Sequence, residues 1–300
     1  MRQKINSSML LFGPVFRRSC LGSVICLFSL HSSQTILLNY YKELLALKDN
    51  GKPAPLKQAL QNCIREVFKD LMKKKRLTEQ QLKKIDIIIS KDNTEPFHKG
   101  NLYSVYGSFI GLPSSFSSLD SETSQHSNAE IPDGVSNRKV LPNNLVQWDK
   151  CAVRYAIMKE CILTDSLDLQ VRTALQGVFC FFYSLILQWN TYRFRRVPHR
   201  IMYSIVWSAL IGIVLLQQWN FYKIYRDQQA DNDIITFGED YVRGGLLYYS
   251  NVLQQNKLSG SGWYDENGNQ RQSLLGNKQI PYTEKKEFFM KKMKEMKNCT

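Results

Sequence analysis

Two stretches of this 300-residue sequence contain no aspartate, glutamate, lysine or arginine: Thr173 to Tyr192 and Ile201 to Tyr222. They run to 20 and 22 residues. A helix rising about 1.5 Å per residue needs roughly 20 such residues to cross a hydrocarbon core about 30 Å thick. Period-two alternation is missing from both, which argues against barrel strands and leaves the helix as the spanning structure. The competing reading is a pair of fully buried core helices. The lack of intramembrane charge also argues against a proton relay, ion pathway or transporter, where ionisable groups are expected within the bilayer.

Catalytic and metal-binding signatures are missing as well. The four histidines (His31, His98, His126, His199) are scattered, and no two sit three or four residues apart. There is no H-E-x-x-H, no C-x-x-C and no carboxylate cluster, so neither a metal nor a cofactor is expected. No G-x-S-x-G elbow or P-loop occurs, and Gly260-Ser261-Gly262 lacks the strand-to-helix context of a dinucleotide loop. Glu160, Asp165 and Asp168 approach the first apolar run on a helix. They read either as an acid–base group at a membrane surface or as an ordinary solvated face. The seven cysteines include Cys151 and Cys161, with nine residues between them. On one helix they stand about 15 Å apart, beyond disulfide reach. No catalytic residue is assigned, and the chain reads as non-enzymatic.

Acidic residues are absent from Met1 to Lys42, while Arg2, Lys4, Arg17, Arg18 and several serines are present. That composition suits a mitochondrial targeting segment. A secretory signal competes, because Cys20 to Leu30 is apolar. A third, N-terminal span is also open, since Ser19 to Tyr41 is uncharged throughout. Residues 1–42 are therefore a targeting segment or a membrane span.

What is present frames the two runs. Trp189, Tyr192, Tyr203, Trp219 and Tyr222 lie at their ends, where amphipathic rings meet the headgroup level. The connector carries Arg193, Arg195, Arg196 and Arg200, which act as topology determinants, together with Pro198. Its shortness forces an antiparallel hairpin. If Ser19 to Tyr41 spans, Arg17-Arg18 and the connector share one side, the matrix in a mitochondrion. With two spans alone, Lys159, Arg172, Lys223 and Arg226 flank the other end and weaken that assignment. Ser204, Ser208 and Gly212 recur at four-residue spacing, a helix-contact stripe for a partner's spans or for the hairpin's own mate. The net charge of +14 suits an anionic lipid surface, and no nucleic-acid motif accompanies it.

Outside the runs, Pro53 opens a helix to about Lys75 with Leu56, Leu60, Ile64, Val67, Phe68 and Leu71 on one stripe. Ile85 to Ser90 and Leu102 to Ile110 read as strands, with Gly111-Leu112-Pro113 as a turn. Residues 114–134 form a Ser-rich loop. Helix resumes near Val146 and runs through Cys161 into the first apolar run. After the second, it continues past Arg226, pauses at Phe237-Gly238 and returns from Tyr241 to Leu258, where Gly244-Gly245 allows close packing or a kink. Ser259 to Asn269 is a turn region. Glu284 to Lys297 is a basic helix whose Phe289, Met293 and Met296 face either a lipid surface or their own domain. The expected fold is a mainly α membrane protein. A two-helix transmembrane hairpin, 171–192 and 201–222 joined by 193–200, follows a small soluble α+β region (43–170) and precedes a helical C-terminal region (223–300).

Several stretches taken in order carry a resemblance. They are Pro53-Ala54-Pro55-Leu56, Tyr106-Gly107-Ser108-Phe109-Ile110-Gly111-Leu112-Pro113-Ser114-Ser115-Phe116, the hairpin, Gly244-Gly245 with Tyr248-Tyr249 and Val252-Leu253, Leu274-Leu275-Gly276, and Pro281-Tyr282-Thr283. Their spacing resembles the transmembrane protein 177 family, over most of the chain. The Ser-rich loop after Phe116 and the basic connector depart from that pattern. The resemblance implies a multi-pass protein of the mitochondrial inner membrane. It also implies a non-enzymatic assembly factor in the biogenesis of cytochrome c oxidase, with subunit II and its assembly chaperones as partners. Anionic membrane lipid, cardiolipin included, is the expected surface. A membrane-bound enzyme acting on lipid or quinone is the alternative.

Overall fold

The computed structural model describes residues 35–49, 51–91, 95–116, 148–194, 196–272 and 278–299, with five isolated positions before residue 26. Apart from those five positions, the readings placed on residues 1–34 lie outside them, as do those on most of the Ser-rich loop, on the helix start near Val146, on Arg195 and on Leu274-Leu275-Gly276. In chain order the elements are α1 (Leu38–Leu45), β1 (Lys48–Asp49), β2 (Lys52–Pro53), α2 (Gln58–Lys73), α3 (Glu79–Leu82), β3 (Ile85–Ser90), β4 (Phe97–Gly100) and β5 (Ser108–Pro113). Then follow α4 (Lys150–Thr164), α5 (Asp168–Arg193), α6 (Val197–Ile235), α7 (Glu239–Ser259) and α8 (Tyr282–Cys299).

Local chemistry sets several of these boundaries. Helix α2 begins at Gln58 rather than Pro53, because Pro53 and Pro55 hold the residues before them extended. The three-stranded sheet has the order β3-β5-β4, with β3 parallel and β4 antiparallel to β5. Gly111-Leu112-Pro113 is not a turn but the end of β5, paired with Ile88, Ile89 and Ser90. All six residues of that strand are buried, and Pro113 ends the ladder where its missing N–H does no harm. A Cβ at Gly111 would fall 2.2 Å from the Phe97 ring, so glycine is what lets that ring cross the strand. Strand β4 had no counterpart in the sequence reading.

The expected continuous helix into the first apolar run is broken between Thr164 and Asp168. The loop after β4 makes the break. Leu102 N–H donates to the Thr164 carbonyl at 3.3 Å, and Asn101 Nδ2 donates to the Ser166 carbonyl at 2.5 Å. Carbonyls that a continuing helix would have used are thereby satisfied.

The regions before and after the hairpin are not separate bodies. Val67 and Leu71 of α2, Ile110 of β5, Tyr155 and Met158 of α4, Ile234 of α6, Val242 and Tyr249 of α7 and Phe289 of α8 belong to one core. Helix α7 presses on α4 so closely that a Cβ at Gly244 would sit 2.3 Å from the Cys151 carbonyl oxygen. Phe289, with Met293 and Met296, packs into this core, so that face of α8 is closed to a lipid surface. Helix α1 covers the other side of the sheet through Leu38, against Ile88 and Phe109.

Helices α5 and α6 form an antiparallel hairpin and are long and apolar enough to cross a membrane. Their burial pattern is reversed relative to the body. Ser184, Gln188, Asn190 and Asn220 are buried, while Val178, Phe181, Phe182, Ile205, Val206, Leu210, Val214 and Phe221 are exposed. Helix α6 has 39 residues, a length of about 58 Å, nearly twice a hydrocarbon core. Its second half enters the body, where Ala230 and Ile234 join the core.

Candidate functional site

The turns of α6 that follow Tyr222 carry Lys223, Asp227 and Asp231. Asp227, Ala230, Asp231 and Ile234 recur at the spacing of one helical face, so the face that buries Ala230 and Ile234 also takes two carboxylates inward. Lys159 of α4 meets both, at 2.6 Å from Asp227 Oδ1 and 2.7 Å from Asp231 Oδ1. Lys285 of α8 closes on Asp227 Oδ2. Tyr155 donates its hydroxyl to Asp231 at 2.6 Å, and the Lys159 ammonium donates to the Tyr249 hydroxyl at 2.7 Å. Two lysines and two aspartates make a network of no net charge, which is the condition for burying ions at tolerable cost.

The electrostatics follow from burial and pairing. Burial pushes the Asp227 carboxyl up, but Lys159 and Lys285 outweigh it and hold the group well below the usual carboxylate range. Burial works against the Lys159 ammonium, yet Asp227 and Asp231 keep it charged. Lys285, with burial and the Lys159 charge against it, is lowered despite its contact with Asp227. Burial pushes the Tyr155 and Tyr249 phenols up, and Asp231 adds to the effect.

A cavity of about 320 Å³ opens beside this network. Glu95, Glu160, Lys223, Tyr248, Lys278 and Tyr282 contribute to its wall. Glu160 of α4 is held by His98 Nδ1 of β4 at 2.7 Å. Glu95 accepts the Tyr282 hydroxyl at 2.7 and 2.9 Å, and burial pushes its carboxyl up. At the rim, the Lys223 ammonium and the Arg172 guanidinium both lie over the Trp219 ring, at 5.4 and 5.6 Å. Burial, then the Arg172 and Lys99 charges, lower the Lys223 ammonium.

No protein-family model, curated protein or solved structure matches the chain.

The three carboxylates of the sequence reading do not form one group. Glu160 lines the cavity. Asp165 accepts the Tyr103 hydroxyl at 3.1 Å, and Asp168 accepts that of Tyr222 at 2.8 Å. Of the contact stripe, Ser204 and Ser208 face α5 within the hairpin. Asn190 Nδ2 donates to Ser204 Oγ at 3.4 Å, and both serines line a groove shared with Tyr183 and Leu187. Gly212 has open space within 4 Å of the Cβ it lacks. Arg193 and Arg196 are exposed, and Arg200 Nε donates to the Phe194 carbonyl. Among the described residues, no group of three or more histidine, cysteine or acidic side chains is arranged to hold a metal ion.

The part that Lys159, Lys285, Glu95 and the buried tyrosines play in the network is not legible in the sequence, because their partners are distant in it. One signal was readable. The i, i+4 pair Asp227 and Asp231 shares a helical face with Ala230 and Ile234, which marks carboxylates turned toward a core and in need of cations. Chemically, the cavity offers rim cations, a carboxyl that burial favours in its neutral form, and tyrosine and glutamine side chains. That set suits binding of a polar or anionic group.

Proposed function

We propose that this chain is a non-enzymatic assembly and stabilising factor, anchored in the mitochondrial inner membrane by the α5–α6 hairpin and acting in the biogenesis of cytochrome c oxidase subunit II. The observation that carries the membrane part is the reversed burial of the hairpin. A soluble monomer rarely exposes a continuous apolar patch of this extent, whereas the outward Val178, Phe181, Phe182, Val206, Leu210 and Val214 suit lipid or a partner's spans. Small and polar residues such as Ser184, Asn190, Ser204 and Ser208 then hold the two helices together. The acid-free N-terminus supports the mitochondrion, and the collinear motifs that resemble the transmembrane protein 177 family support the client. The basic connector favours the matrix side, which directs the body to the intermembrane space. Because α6 runs unbroken from the apolar stretch into the core, contacts made in the bilayer are coupled to the body. Loss of the protein should lower oxidase subunit II. Unchanged synthesis and stability of that subunit in a knockout would end this reading.

One observation favours a second reading, an enzyme acting on lipid or quinone. Glu160 faces a cavity that begins one residue past Tyr222, at the end of the apolar stretch. A defined product made by the purified protein and lost in Glu160→Gln would establish it.

A further inference from the structure

We infer that the tip of the β4–β5 ribbon, Tyr103 to Tyr106, together with Leu167, is a second membrane contact that dips into the lipid headgroups beside the α5–α6 hairpin. This rests on the membrane reading of that hairpin. Val105 is 92% exposed, and Tyr103, Tyr106 and Leu167 are each more than half exposed. Single exposed apolar side chains are common on a soluble surface. These four stand together, because Asn101, at the base of the tip, donates its side-chain amide to the carbonyl of Ser166, the residue before Leu167.

Helix α6 gives their height above the bilayer, since it runs unbroken from the apolar run into the body. Asp231, nine residues past Tyr222 and about 13 Å higher, accepts the Tyr155 hydroxyl of α4. Asp227, five residues past Tyr222 and about 8 Å higher, meets Lys159. Tyr222 itself donates to Asp168 at 2.8 Å. Helix α4 therefore descends toward the bilayer as its numbering rises. Strand β4 descends beside it, for His98 meets Glu160 and Leu102 N–H reaches the Thr164 carbonyl. Asn101 Nδ2 also reaches the Gln170 side-chain oxygen at 3.1 Å, three residues before the apolar run of α5. The tip lies beyond these contacts, before the chain turns back into β5 at Ser108. That is the level of Tyr222 and Trp219, whose rings suit the headgroup region.

The tip is built to enter it. From Asn101 to Gly107 the chain carries no charged side chain. Its backbone donors are satisfied internally, the requirement for entering a water-poor layer. Ser104 N–H donates to the Asn101 carbonyl, Gly107 N–H to the Ser104 carbonyl and Asn101 N–H to the Gly107 carbonyl. Tyr103 N–H donates to Asn101 Oδ1, and Tyr106 N–H to Ser104 Oγ. Gly107, at φ +71°, fixes the tip against the start of β3, where a Cβ would fall 2.5 Å from the Lys84 carbonyl oxygen. Tyr103 keeps its hydroxyl on Asp165 and leaves its ring exposed, the amphipathic placement of an interfacial aromatic.

The test places a single bimane reporter in an otherwise cysteine-free full chain held in phosphatidylcholine vesicles. The vesicles carry nitroxide lipid labelled at the headgroup, near the carbonyl end of the acyl chain, or near its methyl end. Reporters at Val105→Cys and Tyr106→Cys should lose fluorescence to the first two, at a depth of about 5–10 Å into the headgroup and acyl boundary. Glu239→Cys, exposed at the far end of the body, should lose none. Leu210→Cys, midway along the exposed face of α6, should lose most to the third. Quenching at Val105→Cys and Tyr106→Cys no greater than at Glu239→Cys would overturn the contact and leave the tip to a protein partner. If Leu210→Cys also escapes quenching, the membrane reading fails with it. If Leu210→Cys is quenched and the tip is not, this contact alone fails.

Discussion

Replacing Lys159 with methionine removes the cation shared by Asp227 and Asp231 while keeping most of the side chain's volume. Asp227 retains Lys285, so the loss concentrates at Asp231, which keeps the hydroxyls of Tyr155 and Tyr249 but no cation. The Asp231 side chain is only 5% exposed, so water does not replace the lost partner. Breaking a buried pair from one side costs about 3–5 kcal/mol, and the retained hydroxyls argue for the lower end, about 3 kcal/mol. Against a total stability of about 5–15 kcal/mol this is a large share. It corresponds to a fall in Tm of about 6–12 °C for a body of this size. The double variant Lys159→Met/Asp231→Asn removes both charges and leaves an amide to meet the tyrosines, so it should recover at least half the loss. Thermal unfolding in detergent micelles, followed by the near-ultraviolet circular dichroism of the packed tyrosines, reads both. A loss below about 1 kcal/mol in the single variant, or a double variant no better than the single, would refute a buried, mutually compensated network.

Gly244→Ala should destabilise by about 1–3 kcal/mol, because the new methyl meets the Cys151 backbone carbonyl, which cannot swing away. Gly177→Ala, with nothing within 4 Å, should be neutral or stabilise by about 0.5–1 kcal/mol; the same melts compare them. Burial raises the Glu95 carboxyl above its unfolded value, so its favourable contribution is complete below about pH 4.3 and fades as pH rises through the folded value. The Tm of the wild type should therefore fall relative to Glu95→Gln between pH 4.5 and pH 7.5, and a gap independent of pH would contradict this. Burial pushes the Cys161 thiol up and excludes solvent from it. Maleimide should therefore modify Cys161 only after denaturation, as read by peptide mass spectrometry.

The helical skeleton was largely legible because its signals are local. Uncharged runs, the pause at Gly238 and the return of helix near Tyr241 can each be read within a few residues, and Gly238 indeed takes φ +120° between α6 and α7. The close approach at Gly244-Gly245 was legible for the same reason. Strand β5 was misread at its end because glycine and proline are turn residues in isolation, and only pairing with β3 makes Gly111 and Pro113 strand residues. The break before Asp168 depends on Asn101 and Leu102, more than 60 positions earlier, and no local pattern announces it. The same holds for the candidate site. Glu160 stands out for its place before the apolar run, but its neighbour is His98, and Lys159 beside it reads in the sequence only as a charge flanking the hairpin. Lys159 and Asp231 are 72 positions apart and meet because α4 and the far half of α6 enter one core. The four-residue spacing of Ser204 and Ser208 reads as a contact stripe for a partner or for the hairpin's own mate, and both serines line a groove shared with Tyr183 and Leu187 of α5.

In the proposed topology α5 and the first half of α6 cross a bilayer, with the connector on one side and the body on the other. Single cysteines at His199, in the exposed first turn of α6, and at Lys291, on the exposed face of α8, report the two sides in an otherwise cysteine-free chain held in sealed vesicles. A membrane-impermeant maleimide should label one of the two positions from outside and the other only after the vesicles are opened. Labelling of both positions in intact vesicles, or release of the chain by alkaline carbonate, would rule out a hairpin that crosses the bilayer.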